Sequence, residues 1–187
     1  MEVTISQVLT ELTRPYIAYW QQQTGDLPAS DTFYSIPSPC IEYSKDDVVY
    51  WLPKPFPMPN EKLESVEKAL DIHFYPNIHQ FYTTQLAADM RVKFQEQQLD
   101  LIQVWNMTDF TRLQENLIGH LITQKRRRLT PTLFIASLDS EFEIISVDNI
   151  TGQVILETLG QTTRSVLAGS LIEFLQQLTP IIKKQCD

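Results

Sequence analysis

The chain has 187 residues, with 23 Asp and Glu against 15 Lys and Arg, a formal net charge of −8 at pH 7, and 43% hydrophobic residues. That length and composition suit one domain with a proper hydrophobic core and exclude a disordered chain. An acidic field of this kind repels nucleic acid and anionic lipid headgroups and attracts basic partners.

The charge is unevenly placed. Residues 1–60 hold 3 basic and 7 acidic side chains, residues 61–120 hold 5 and 9, and residues 121–187 hold 7 of each. No apolar run approaches the ~18–20 residues that cross a bilayer. Met1-Glu2-Val3-Thr4 lacks the basic and then apolar start of a signal peptide. Cys40 and Cys186, far apart, argue against a disulfide framework and for a reducing cytoplasm.

Ile5, Val8, Leu9, Leu12, Tyr16, Tyr19 and Trp20 recur at helical spacing, with Gly25 as the stop. Pro15 inside that pattern predicts a kink or break near Arg14. Pro37-Ser38-Pro39-Cys40 precedes a short strand over Val48–Leu52. Pro53, Pro55, Pro57 and Pro59 make the next loop extended and stiff. It reads as a structural strap ahead of a recognition ligand. Asn60 then N-caps a helix reaching about Leu70, with Leu63, Val66, Ala69 and Leu70 as its buried stripe. Glu61 and Glu64 fall in its first turn, and Glu64 pairs with Lys68.

A short helix follows at Pro76–Tyr82. Val92 and Phe94, then Leu99, Leu101 and Trp105, suggest two strands joined near Glu96-Gln97-Gln98. Thr108-Asp109 opens the clearest helix, carrying Phe110, Leu113, Leu117, Ile118, Leu121 and Ile122, and ending in Lys125-Arg126-Arg127-Arg128. Thr132–Leu138, Glu143–Val147 and Val154–Leu159 are β-rich, with a turn at Asn149-Ile150-Thr151-Gly152. Val166, Leu167, Leu171, Phe174, Leu175 and Leu178 predict a closing helix ended by Pro180. Strands crowd late in the chain, which favours an α+β fold. The expectation is a single compact domain over residues 1–187, with a mixed or antiparallel β-sheet and flanking helices.

Signs of catalysis are sparse. His73, His79 and His120 make no zinc-ligand spacing with Cys40 or Cys186. A nucleophilic pairing of Cys40 with His79 or His120 has no local support, and the isolated glycines form no phosphate cradle. Glu61 with Glu64, and Glu141 with Glu143, read as solvated faces rather than an acid–base pair. Lys125–Arg128 reads as a helix end that complements the dipole rather than a nucleic-acid patch.

Several runs carry a resemblance. They are Pro37-Ser38-Pro39-Cys40, Tyr50-Trp51 with Pro53, Pro55 and Phe56, and Ile78-His79 with Phe81-Tyr82-Thr83-Thr84-Gln85. Gln114-Glu115-Asn116-Leu117-Ile118-Gly119-His120-Leu121, Thr123-Gln124-Lys125-Arg126 and Pro131-Thr132-Leu133-Phe134-Ile135-Ala136 follow. Ile145-Ser146-Val147 with Gly152, and Glu157-Thr158-Leu159-Gly160, complete them. Over about residues 15 to 180 the chain resembles the Syd family of SecY-interacting proteins, within the SUKH superfamily. The resemblance implies a SUKH-like α+β fold, no enzymatic activity and no cofactor. It also implies a protein held peripherally at the cytoplasmic side of the inner membrane through SecY, regulating or checking the SecY complex by an acidic concave surface. Glu67, Asp71, Asp89, Asp109 and Glu115 lie within or beside the matched runs and are the candidate partner-binding residues, with Glu61 and Glu64 as additions. Tyr82 and Trp105 are candidate aromatic anchors, with core packing the better reading for Trp105.

Charge points the same way. Cytoplasmic loops of polytopic membrane proteins are rich in Lys and Arg, so the expected partner is SecY through its basic loops. Nucleic acid is not expected as a partner, and a monomer is. The alternative is an immunity-type protein that neutralises a basic toxin.

Overall fold

The computed structural model describes residues 2–182; Met1, used in the signal-peptide reading, and Cys186, used in the disulfide reading, lie outside them. Thr4 starts the first helix, α1 (Ile5–Thr24). Its hydroxyl accepts from Gln7 N at 3.2 Å while the Gln7 side chain accepts from Thr4 N at 2.9 Å, a reciprocal capping box. Gly25 closes the helix at φ 76°, a left-handed position that side chains resist. Of the kink or break expected at Pro15, the break does not occur: α1 runs on through it. The carbonyl it leaves without an amide partner belongs to Glu11, and both residues are exposed, so solvent serves that oxygen.

β1 (Ala29–Ser30), β2 (Ile41–Lys45) and β3 (Val48–Trp51) form an antiparallel sheet in the order β1-β3-β2. Asp46 and Asp47, at φ 51° and 59°, make the tight hairpin turn that needs two positive φ angles. β4 (Lys54–Pro55), α2 (Glu64–Leu70), α3 (His79–Thr83) and β5 (Gln85–Leu86) come next. β4 pairs with β5, and Phe56 N donates to Thr84 O at 3.2 Å. The proline loop is therefore a strap fastened to this corner, its Phe56 ring edge-on to Phe110 at 5.0 Å.

Helix α2 begins later than the sequence suggests. Asn60 stands in a turn at φ 63°, Leu63 occupies the cap, and the first-turn acids are Glu64 and Glu67 rather than Glu61 and Glu64. Leu63 and Val66 are buried but Ala69 is exposed. With only 7 residues, this helix presents too few positions for a full apolar stripe.

The large sheet holds β6 (Met90–Phe94), β7 (Gln97–Leu101), β8 (Thr132–Ser137), β9 (Glu143–Asp148), β10 (Val154–Thr158), β11 (Arg164–Ala168) and β12 (Leu178–Pro180). Helix α4 (Met107–Arg126) joins β7 to β8, and α5 (Leu171–Gln176) joins β11 to β12. The strand order is β11-β10-β9-β8-β7-β6-β12, and every registered pair is antiparallel. The expected closing helix is thus three elements: Val166 and Leu167 belong to β11, Leu171, Phe174 and Leu175 to α5, and Leu178 to β12. Ser170 makes the break, its hydroxyl accepting from Glu173 N at 3.1 Å as the N-cap of α5.

This connection also forces the sheet to curl. Laid flat, seven strands about 4.8 Å apart would place the outer two about 29 Å from each other. A chain running from Ala168 to Leu178 through one short helix reaches only about 23 Å. The edges must therefore be drawn together, and a twisted, curled sheet does this. One hydrophobic core fills the molecule, from Leu9 of α1 and Trp51 of β3 through Tyr82, Trp105 and Leu117 to Leu133 and Phe174. Leu117, at 0% exposure in the middle of α4, has no room to collapse. Leu117→Ala should cost about 3 kcal/mol of unfolding free energy, read as a lower urea midpoint at unchanged slope.

Candidate partner-binding site

Two loops are laid side by side by backbone pairing. Leu86 and Val104 form a parallel bridge, and Ala87 N donates to Val104 O at 2.9 Å. The antiparallel β6–β7 register, with Met90 opposite Leu101, carries Asp89 to the next turn of chain, where its Oδ1 accepts from Gln103 N at 2.8 Å. Two residues on, Trp105 N donates to Asp109 Oδ2 at 2.9 Å. Asn106 caps α4, its Oδ1 accepting from Asp109 N at 2.7 Å. Asp109 therefore stands in the first helical turn, where the dipole favours an anion.

Trp105 is the peg of this corner. It is buried, its indole N–H donates to Ile36 O at 2.9 Å, and Phe33 stacks on it with ring centroids 4.8 Å apart. Tyr82 is buried too, its hydroxyl donating to Phe134 O. Both rings are core residues; neither offers a partner an exposed face.

The Asp89 residue is exposed at its surface, yet protein crowds its carboxyl on most sides. The resulting desolvation pushes its pKa from the ordinary 3.8 up to about 7, opposed by the Gln103 N–H and helped by the charges of Asp109 and Asp100. Asp100 has its own counter-ion: Arg91 Nη1 lies 2.9 Å from Asp100 Oδ2, and Nη2 lies 2.9 Å from Asp139 Oδ1. Asp89 and Asp109 have no such ion pair among the described residues. Asp100 was absent from the candidates that the sequence supplied. The β6–β7 hairpin register, which sets Arg91 opposite Asp100, was the signal that could have found it.

The remaining candidates sit around α2 and α4. Glu67 is half-buried and its Oε1 accepts from Phe74 N at 2.7 Å, so it shapes the exit from α2. Asp71 is the exposed left-handed cap of α2, at φ 52°. Glu64 is exposed, 3.6 Å from Lys68. Glu61 is half-buried, its carbonyl accepting from the Thr83 hydroxyl at 3.2 Å. Helix α2 packs on α4, with the Ser65 hydroxyl donating to Gln114. Next to Gln114, the exposed Glu115 lines an open depression of about 440 Å³ with Met107, Thr108, Thr111 and Arg112. The coordinates thus couple Asp89, Asp109 and Asp100, and set the α2 acids on a helix packed against α4.

Other reactive groups are drawn into structure. Cys40 is buried, and burial is the main reason its thiol is pushed up, away from the thiolate. His120 Nε2 lies 3.0 Å from Thr132 Oγ1, which donates to Glu157 Oε2 at 2.7 Å. Burial lowers the pKa of this histidine, and that of His79. Among the described residues no three or more His, Cys, Asp or Glu are grouped to hold a metal. Nor is any helix there long and apolar enough to cross a membrane.

Comparison with known proteins gives one consistent result. The profile of the Syd protein family (SUKH-2) matches residues 6–180. Protein Syd of Photorhabdus laumondii is 53% identical over 181 residues, covering 96% of this chain and 98% of that protein. Protein Syd of Pectobacterium atrosepticum is 49% identical, covering 97% and 99%. Protein Syd of Salmonella arizonae is 50% identical, covering 97% and 100%.

The raised Asp89 carboxyl has a consequence for stability. Its folded pKa lies above the unfolded value, so the fold favours its protonated form; ionisation weakens the fold progressively from about pH 4 to about pH 7. Asp89→Asn keeps the acceptor for Gln103 N and removes that penalty. The variant should melt a few degrees above the unsubstituted chain near pH 8, the difference closing towards pH 4 when both are followed by circular dichroism.

Proposed function

The chain belongs to the Syd protein family (SUKH-2), and we propose that it is a non-catalytic binding protein that docks a carboxylate face onto the basic cytoplasmic loops of the SecY translocon subunit. In this reading it sits peripherally at the cytoplasmic side of the inner membrane, held there by SecY, and regulates or checks the SecY complex. The observation that carries the reading is the pair Asp89 and Asp109, two neighbouring carboxylates with no counter-ion among the described residues. A Lys or Arg from a partner supplies the missing charge, and the positive-inside rule makes SecY loops a source of such residues. Asymmetric acidity over residues 1–120, 8 basic against 16 acidic side chains (3 with 5, and 7 with 9), adds long-range attraction. Complementary fields raise encounter rates by roughly ten- to a thousandfold at low salt.

Proton linkage gives this reading a signature. A bound cation lowers the Asp89 pKa, so binding favours the ionised carboxyl and weakens as pH falls below about 7. Capture of detergent-solubilised SecY should be strongest near pH 8 and fall at least tenfold between about 50 and about 500 mM salt. Asp89→Asn with Asp109→Asn, which preserves both backbone acceptors, should lower capture about tenfold and flatten the dependence on pH between about 6 and about 8. Capture by this double variant equal to that of the unsubstituted chain would exclude the Asp89–Asp109 face. Glu67 is a poor residue to reverse, because its carboxylate also holds Phe74 N.

A further inference from the structure

We propose a second interaction surface, at the C-terminal end of α4, that lies against an anionic lipid bilayer. It stands apart from the SecY reading and rests on different residues. Lys125, Arg126, Arg127 and Arg128 are all exposed, and none has an ion-pair partner among the described residues. Complementing the helix dipole explains cations here; it does not explain their neighbours. Arg127 Nη2 donates to Gly160 O at 2.5 Å, and the adjacent Leu159 donates its N–H to Phe142 O at 2.6 Å. Phe142 is 66% exposed and Leu159 45%. Val166, 58% exposed, lies on β11 two residues from Arg164, whose guanidinium donates to Thr130 O at 2.8 Å as the chain leaves α4.

The surface therefore combines a cationic cluster with large apolar side chains left in water, and the acids within it are Glu141 and Glu143, on either side of Phe142, against four exposed cations. That combination fits the boundary between headgroups and acyl chains, where phosphates attract guanidinium groups and apolar side chains leave water. A long polyanion such as RNA fits less well, because it would run beyond the cluster onto a chain whose net charge is −8. A bilayer touches only the end that faces it. The acidic end does not cancel this attraction either. Helix α4 has 20 residues, so Asp109 and Arg126 stand roughly 25–30 Å apart, against a screening length of about 8 Å.

The test is flotation of the full chain with vesicles of phosphatidylcholine alone, or of phosphatidylcholine with about 30% phosphatidylglycerol, at about 50 mM salt. The unsubstituted chain should float with the anionic vesicles, not with the neutral ones, and should be released by about 500 mM salt. Neutralising Lys125→Gln, Arg126→Gln and Arg128→Gln should weaken partitioning about a hundredfold, as roughly 1 kcal/mol per cation implies. Phe142→Ser with Leu159→Ser should weaken it several-fold on the same vesicles. Each substituted side chain is exposed, and unchanged circular dichroism and cooperative melting will show that the variants fold. Absence of flotation, equal flotation with neutral vesicles, or either variant floating like the unsubstituted chain would overturn the proposal. Retention by a short RNA stronger than by the vesicles, and lost in the neutralised variant, would overturn it in favour of nucleic acid.

Discussion

The register of the β6–β7 hairpin, with Met90 opposite Leu101 and Arg91 opposite Asp100, sets where this corner keeps its charges. It carries Asp89 to Gln103, the parallel bridge between Leu86 and Val104 closes the corner beside it, and the strap β4 is pinned there through β5. Trp105, locked from the other side by Phe33 and Ile36, then fixes where α4 begins. The amides of Gln103 and Trp105 are served by Asp89 and Asp109 rather than by a strand partner. Satisfying those amides is what places the two carboxylates together.

The price of that placement is electrostatic, and the fold resolves it unequally. Asp100 shares the buried guanidinium of Arg91 with Asp139. Asp89 and Asp109 receive no equivalent, and desolvation acts on Asp89 as well. A desolvated carboxyl without a counter-ion is where binding or chemistry is expected. The last third of the chain shows the opposite imbalance, though its formal charges cancel. Several of its acids are engaged: Asp139 with Arg91, Glu157 with Arg164, Asp148 accepting from Ile150 N and Thr151 N, and Glu173 accepting from Gly169 N. Its cations at Lys125–Arg128 stay in water. Helix α4 thus links an anionic end to a cationic one.

Periodicity made the well-partnered elements readable. Helices α1 and α4 and strands β6 to β10 show their buried faces directly in the spacing of apolar residues. Strand β2 was invisible because four of its five residues are exposed. The tail misled because leucines at helical spacing continue across a strand, a Ser170 cap and a six-residue helix, and spacing alone does not register the cap. Asn60 has the chemistry of an N-cap but adopts a positive φ in a turn instead. For the site, the family resemblance drew attention to Asp89 and Asp109 separately. Their coupling combines the β6–β7 hairpin register with the cap of α4, which the spacing of neither segment displays alone, and the anchoring role of Glu67 depends on a contact with Phe74 seven residues away.

The central claim is that the corner holds an anion without a neutralising partner. Titrating the side-chain carboxyl carbons of Asp89 and Asp109 by NMR in the free chain tests it most directly. The account predicts an Asp89 midpoint close to 7, moving down when Asp109→Asn removes the neighbouring charge. A midpoint near the ordinary carboxylate value, about 4, unmoved by that substitution, would contradict it.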